Sequence, residues 1–323
     1  MTVAEVLATT KRRGRASVGW SRPASRSRSI VILGKATETN RSLAAAFADL
    51  GERAWLSPEA MPTRLQRGDL VIARLDVVPT LDGVEPGLWQ LPRLTRRGIE
   101  VLNTPLALFA AHDKLTTALL LGKAGVEQPR TAHINDPSVP SFPPPYVVKP
   151  RFGSWGREVY RCRDEGELRA RLEYLTRRRW FRRHGALVQT LVEPTGRDLR
   201  VLVAGGRVVG AIERRALPGE WRTNVALGAR RRRVDAPPVA AALALRAVAA
   251  LGIDLAGVDI ATDTIGRSYV IEVNGAVEFN ATYAEGVFTN AAGALLERAG
   301  LRRRAERQVS VATRPRARAK RGL

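Results

Sequence analysis

Two short apolar strands near the carboxy terminus each carry acids that a folded sheet cannot leave unpaired. Gly257-Val258-Asp259-Ile260 places one carboxylate among branched apolar residues, and thirteen residues later Glu272-Val273-Asn274 places a second carboxylate and a carboxamide. Glu272 and Asn274 are two apart, so both point to the same face of a strand. A carboxylate pair inside a sheet needs a cation or donors to offset its desolvation. Three oxygen ligands converging on one face suit a hard cation held together with phosphates. An edge strand with its acids facing water would explain the same letters.

The rest of the chain shows what surrounds these strands. Residues 29–34, Ser-Ile-Val-Ile-Leu-Gly, read as a strand and a turn. A helix follows over 41–50, stopped by Gly51, with further strands at 54–56, 69–75 and 100–102. Such strand–helix alternation predicts a small parallel α/β domain. Residues 111–125 read as a helix with Asp113 at its start. A strand is expected at 130–134. Five prolines in 135–145 exclude helix interior and suggest a nearby boundary. Beyond them, strands are expected at 146–149, 158–163, 186–192, 199–203, 208–214, 257–261 and 269–273, and helices at 165–175 and 237–251. The pair around Ala204-Gly205-Gly206-Arg207 is a hairpin signal. The second half is therefore α+β with antiparallel sheet. The expected divisions are 1–28, a basic disordered tail; 29–110, a Rossmann-like α/β domain; 111–185, a central domain; 186–300, a carboxy-terminal domain; and 301–323, a second basic disordered tail.

Two loops add chemistry. The strand Tyr146-Val147-Val148-Lys149-Pro150 runs into Arg151-Phe152-Gly153-Ser154-Trp155-Gly156-Arg157. Glycines let backbone N–H groups approach phosphate oxygens, and lysine adds a point charge. The Gly-Lys-Ser/Thr order of a Walker A loop is absent. A hairpin with an exposed lysine is the plain alternative. Glu213-Arg214-Arg215 and Trp221-Arg222-Thr223-Asn224 supply arginine forks suited to carboxylate or phosphate. A basic surface loop is the alternative there.

The net charge of +22 is concentrated at the ends: residues 1–28 and 301–323 contribute +14 of it. Such ends can make weak, salt-sensitive contact with nucleic acid. One cysteine, Cys162, excludes an internal disulfide and a multi-Cys zinc site. The start of the chain lacks the apolar stretch of a secretory signal, and no apolar run approaches membrane-spanning length. A cytoplasmic, non-membrane protein is expected, and a homo-oligomer.

In order along the chain, Asp113-Lys114, Val147-Val148-Lys149-Pro150, Val188-Gln189-Thr190-Leu191-Val192, Gly196-Arg197-Asp198-Leu199-Arg200, Ala211-Ile212-Glu213-Arg214-Arg215, Trp221-Arg222-Thr223-Asn224, Gly257-Val258-Asp259-Ile260 and Glu272-Val273-Asn274 resemble the ATP-grasp superfamily, and within it the RimK-like amino-acid ligases. The resemblance spans about residues 31–298. It implies an ATP-grasp fold with a pre-ATP-grasp domain, a lid and a carboxy-terminal domain clamping ATP. It implies that Lys114, Lys149 and the loop Gly153, Ser154 and Gly156 meet the phosphates. Gln189, Thr190 and Leu191 would line the adenine pocket, with backbone groups of Thr190 and Leu191 reading the base, and Asp198 would contact the ribose. Arg222, Thr223 and Asn224 would sit at the phosphates and the activated acyl group, and Asp259, Glu272 and Asn274 would hold Mg²⁺ or Mn²⁺. Thr190 stands where similar sequences often have an acid. Gly275-Ala276-Val277-Glu278-Phe279-Asn280 departs from the Ala-Ser-Pro-Gly of ligases that extend ribosomal protein tails, and looks more like the branch acting on small molecules or carrier proteins.

The expected activity is ADP-forming ligation of an amino acid, glutamate first, to a small-molecule or carrier carboxylate through an acyl phosphate. Lys149 and Arg222 would offset charge on the transferred phosphoryl group. Arg214, Arg215 and Arg222 would form a basic pocket for an acidic amino acid. The rival is an RNA- or ribosome-associated binding protein acting through its basic tails.

Overall fold

The computed structural model describes residues 28–58 and 64–312, with side chains described up to residue 300. The expected tails lie outside the described residues, except Arg28 and the backbone of 301–312. That backbone continues the last helix past the expected boundary at residue 300.

The first domain alternates β1 (Ser29–Leu33), α1 (Glu38–Asp49), β2 (Arg53–Ser57), β3 (Leu70–Ala73), α2 (Leu91–Arg96) and β4 (Glu100–Leu102). Its parallel sheet has the order β2-β1-β3-β4. Both faces of β1 and β3 are covered, which is why they read as unbroken apolar runs. Ile30, Ile32, Leu70 and Ile72 pack on one side with Phe47 of α1, while Val31, Leu33 and Val71 pack on the other with Leu91 and Leu94 of α2. Each such full burial is worth roughly 1.5–3 kcal/mol.

Residues 111–125, expected as one helix, are parts of two: α3 (Pro105–His112) and α4 (Lys114–Lys123). Asp113 separates them because its carboxylate caps the second, accepting from Leu115 N at 3.1 Å. Ala107, Ala111 and Leu121 pack with the carboxy-terminal sheet, not with the central domain.

The central domain holds β5 (Thr131–Ile134), β6 (Tyr146–Pro150), β7 (Tyr160–Cys162), α5 (Glu165–Leu175), α6 (Arg179–His184) and β8 (Ala186–Thr190), with sheet order β5-β8-β6-β7. Two expectations change here. The proline-rich 135–145 stretch links two strands of one sheet and marks no boundary. The boundary expected after residue 185 cuts off β8, which pairs with both β5 and β6.

The last domain is an antiparallel sheet, order β11-β10-β9-β12-β13, of β9 (Arg197–Ala204), β10 (Arg207–Arg215), β11 (Arg230–Arg233), β12 (Leu255–Thr262) and β13 (Ser268–Asn274), with α7 (Pro238–Leu251) and α8 (Val287–Ala312). Gly205 and Gly206 turn β9 into β10 at φ +57° and +81°. A Cβ at Gly205 would lie 2.2 Å from Ala294 O of α8, so the tight turn also lets the helix approach. Buried Asn103, at φ +55°, joins the first and last domains. Its side-chain amide donates to Ala73 O, Leu255 O and Gly275 O at 2.9–3.2 Å, and its oxygen accepts from Asp254 N and Leu255 N.

Candidate active site

Period-two alternation along β9 builds the floor of a cleft. Leu202 and Ala204 pack under the first domain and α8. Continuing back along the same face, Asp198 and Arg200 emerge where that cover ends. Arg214 on β10 pairs in register with Asp198, Arg200 with Asp259 on β12, and Asp259 with Glu272 on β13. The result is a charged ladder. Arg200 donates from Nε and Nη2 to both oxygens of Asp259 at 2.6 and 2.7 Å. Arg214 donates to Asp198 at 2.8 Å and lies 3.0 Å from Asp259. Glu272 sits 3.0 Å from Lys114 Nζ. Thr223 Oγ1 donates to Asp198 Oδ2 at 2.6 Å.

The ladder sets the protonation of its members. Burial would raise the Asp259 carboxyl, but Arg200 and Arg214 outweigh it and hold it at about 2. For Asp198 burial dominates and raises the carboxyl despite Arg214, with the neighbouring Asp259 charge adding to the rise.

The roof is the end of β6 and the loop after it. Lys149 is buried, its Nζ lying 3.4 Å from Ile271 O, and burial pulls its ammonium down to about 8 against the opposing pull of Glu272. Lys114 Nζ also donates to Gly153 O. Gly156 requires its glycine twice over: φ is +70°, and a Cβ would stand 2.8 Å from Asn224 Oδ1. Arg222 Nη1 donates to Gly156 O at 3.2 Å, while Glu220 grips the same guanidinium at 2.9–3.0 Å. The Arg222 contact holds the Glu220 carboxyl down at about 2.

Floor and roof enclose about 1060 Å³, open mouth included, and the walls contain Lys114, Lys149, Gly153, Ser154, Gly156, Gln189, Thr190, Leu191, Asp198, Arg214, Arg222, Thr223, Asn224, Asp259 and Glu272. Asn274 ends β13 two residues from Glu272 without lining the cleft. Its buried Nδ2 has no hydrogen-bond partner. Arg215 is not brought in. It alternates to the opposite face of β10 and pairs with Glu213, which also faces Arg197 and Arg232. Arg214 lines the cleft, but as the internal counter-ion of two aspartates. The three arginines therefore form no common basic pocket. The amides of Thr190 and Leu191 continue the sheet, donating to Arg130 O and Pro145 O at 3.0 and 2.9 Å, so neither N–H is left to read a base.

Sequence reasoning passed over Arg200 and Glu220. The first was signalled by its period-two spacing from Asp198, and the second by an acid two residues before Arg222 in a loop. Among the described residues no three His, Cys, Asp or Glu side chains cluster to hold a metal unaided, and no helix is long and apolar enough to cross a membrane.

Residues 111–298 match the model of the RimK-like ATP-grasp domain. A probable alpha-L-glutamate ligase of Serratia proteamaculans is 32% identical over 217 residues, spanning 65% of this chain and 70% of the relative. The tetrahydromethanopterin:alpha-L-glutamate ligase of Methanosarcina acetivorans is 29% identical, spanning 61% and 67%. Among solved structures, D-cycloserine synthetase superimposes with a TM-score of 0.63 at 20% identity, covering 84% of this chain and 99% of that one. D-alanine–D-alanine ligase from Bacillus anthracis does so with 0.62 at 18%, covering 87% and 99%. These likenesses establish a common fold. With more than half its length matched and its motifs gathered around one cleft, the chain belongs to the RimK-like ATP-grasp family, ligases that form C–N bonds.

Proposed function

We propose that this ligase joins an amino acid, L-glutamate first, to the carboxylate of a small molecule or carrier, activating that carboxylate with ATP as an acyl phosphate. The observation that carries the reading is the cleft itself. It sets a buried lysine and a glycine loop from one domain opposite a carboxylate ladder from another. The glutamate preference rests on the names of the curated relatives.

A carboxylate resists nucleophiles because of its charge. Phosphoryl transfer to it creates a good leaving group, and the transferred oxygens must be neutralised meanwhile. Lys149 and Lys114 would do so from β6 and α4, and Arg222 from the loop of residues 216–229. Amine attack on the acyl carbon then expels phosphate and leaves the amide. The residues fit a divalent cation in chemistry: Asp259 and Glu272 are cross-strand neighbours that bring two carboxylates together, and the carboxamide oxygen of Asn274, two residues on, would be a third oxygen ligand. Asp259, Glu272 and Asn274 would hold Mg²⁺ or Mn²⁺, which when bound supplies positive charge to the nucleotide phosphates. Gly153 and Gly156 would leave backbone room for those phosphates.

The test is ADP release with ATP and Mg²⁺ against a panel of amino acids and small carboxylates, followed by product mass. Glutamate should add one residue mass per ADP. A response to neutral amino acids alone rejects glutamate, and no ADP with any pair rejects the ligase reading. Glu272→Ala should lower turnover by about 10³-fold or more with the fold intact. Near-full activity would remove Glu272 from the metal set.

A further inference from the structure

Residues 77–84 of the first domain form a small hairpin, closed by a bridge between Val77 and Val84 and by Val78 N donating to Gly83 O at 2.9 Å. Its base is fastened to its own domain. Glu85 pairs with Lys35 and accepts from Asp76 N at 3.0 Å. Its tip is packed into a different one. Leu81 is only 6% exposed and joins the core of the central domain with Phe142, Tyr146 and Phe181. A Cβ built on Gly153 would lie 3.3 Å from Leu81 Cδ2, so this leucine bears directly on the glycine loop.

The neighbouring contacts act in the same direction. Asp82 accepts from Arg183 Nη1 at 2.9 Å and lies 3.7 Å from Arg179 Nε, and its carbonyl is 3.1 Å from His184 Nε2. All three partners belong to α6. At the far end of the glycine loop, Arg157 Nη1 donates to Pro79 O at 3.3 Å. Leu81 holds φ +61°, a region that disfavours a leucine by roughly 1–2 kcal/mol. Its side-chain packing and Asp82's ion pairs, which could hold that shape, are made to the central domain.

We propose that this hairpin is a positioning latch: Leu81, directly against Gly153, and Asp82, through α6, whose His184 ring packs 5.1 Å from that of Phe152, fasten the glycine loop to the first domain over the cleft, and so keep water from the activated carboxylate. The inference rests on the ligase reading for its consequence, though not for its geometry. Amine and water compete for the same acyl carbon. Amine attack releases phosphate and leaves an amide, whereas water attack releases the same phosphate and returns the carboxylate. A loosened roof therefore spends ATP without product.

The experiment uses the full chain with Asp82→Ala, Asp82→Glu and Leu81→Gly. Glycine tolerates the positive φ, so the third variant removes packing without adding strain. Hydrogen exchange of residues 152–157 without nucleotide should quicken by about fivefold or more in both Asp82→Ala and Leu81→Gly, at an unchanged melting temperature in Asp82→Ala and a lowered one in Leu81→Gly, which loses buried packing. With ATP, Mg²⁺ and glutamate, ADP released per amide bond should rise roughly threefold, while KM for ATP stays within about twofold and Asp82→Glu recovers much of the wild-type ratio. Unchanged exchange, or an unchanged ADP-to-amide ratio in both variants, overturns the latch. If the wild-type chain makes no amide, the ligase reading fails, and the exchange measurement alone decides whether the hairpin holds the loop.

Discussion

On the floor of the cleft, Asp198, Asp259 and Glu272 each meet a cationic side chain at 3.0 Å or less. On the roof, Lys149 is as deeply buried and has no carboxylate within ion-pairing distance among the described residues; its nearest polar contact is a carbonyl at 3.4 Å. The floor has been made electrically complete by its own chain. The roof keeps a cation whose compensation must come from an anionic ligand. Buried ion pairs rarely add net stability, but removing one partner is costly. An uncompensated buried ammonium lowers stability outright and reserves its interaction energy for binding. One wall is therefore built to persist, and the other to respond.

This contrast can be broken at four places. The largest effect is expected from Arg200→Met, which strands Asp259 in the sheet. Chemical denaturation should show a loss of about 3–5 kcal/mol. A change below about 1 kcal/mol would mean that Arg214 alone completes the floor.

Lys149→Met should act in opposite senses on binding and folding. Nucleotide affinity should fall by about 100-fold in calorimetric titration, while the unliganded protein becomes more stable by on the order of 3 kcal/mol at pH 7. The sign follows from burial, which pulls the folded ammonium to about 8, below the ordinary lysine value of 10.5. The native state binds this proton more weakly than the unfolded state does. The lysine therefore lowers stability progressively as pH falls from about 10.5 to 8, and by a constant amount below that. Phosphates favour the ammonium, so wild-type nucleotide affinity should decline as pH rises above about 8. A flat profile between pH 7 and 9.5 would separate Lys149 from the phosphates.

Gly156→Ala sharpens the comparison from the loop side, where backbone shape replaces charge. The added methyl meets Asn224 and a left-handed φ, and turnover should drop about tenfold with little change in melting temperature. Smallest of all, Arg215→Ala should alter turnover by less than about twofold, because this side chain is exposed on the far face of β10. A larger loss would restore it to the substrate site.

Much of this was legible in the sequence, and the exceptions share a cause. Ser29–Leu33 and Glu100–Leu102 could be read because apolar runs declare themselves locally. The wall residues Lys149, Gly156, Asp259 and Glu272 could be read because their residue types are unusual in their surroundings. Arg215 was misplaced because two consecutive arginines look alike as letters, whereas a strand sends them to opposite faces. Asp113 reads as a helix start, but the preceding α3 is hidden in an Ala- and Leu-rich stretch that continues smoothly into it. The membership of β8 in the central sheet, and the landing of Leu81 in another domain's core, are long-range facts. No local periodicity encodes them.

Asn103 carries a last consequence. By satisfying backbone groups on both sides of the junction from a single side chain, it welds the opening α/β unit to the closing sheet. Any swing that admits substrates must then be taken up at the two crossings of the central domain, residues 124–130 between α4 and β5 and residues 191–196 between β8 and β9. Recombination of this scaffold is likewise restricted. A foreign front half would have to bring a carboxamide in the same left-handed turn, or leave unsated donors and acceptors at the seam.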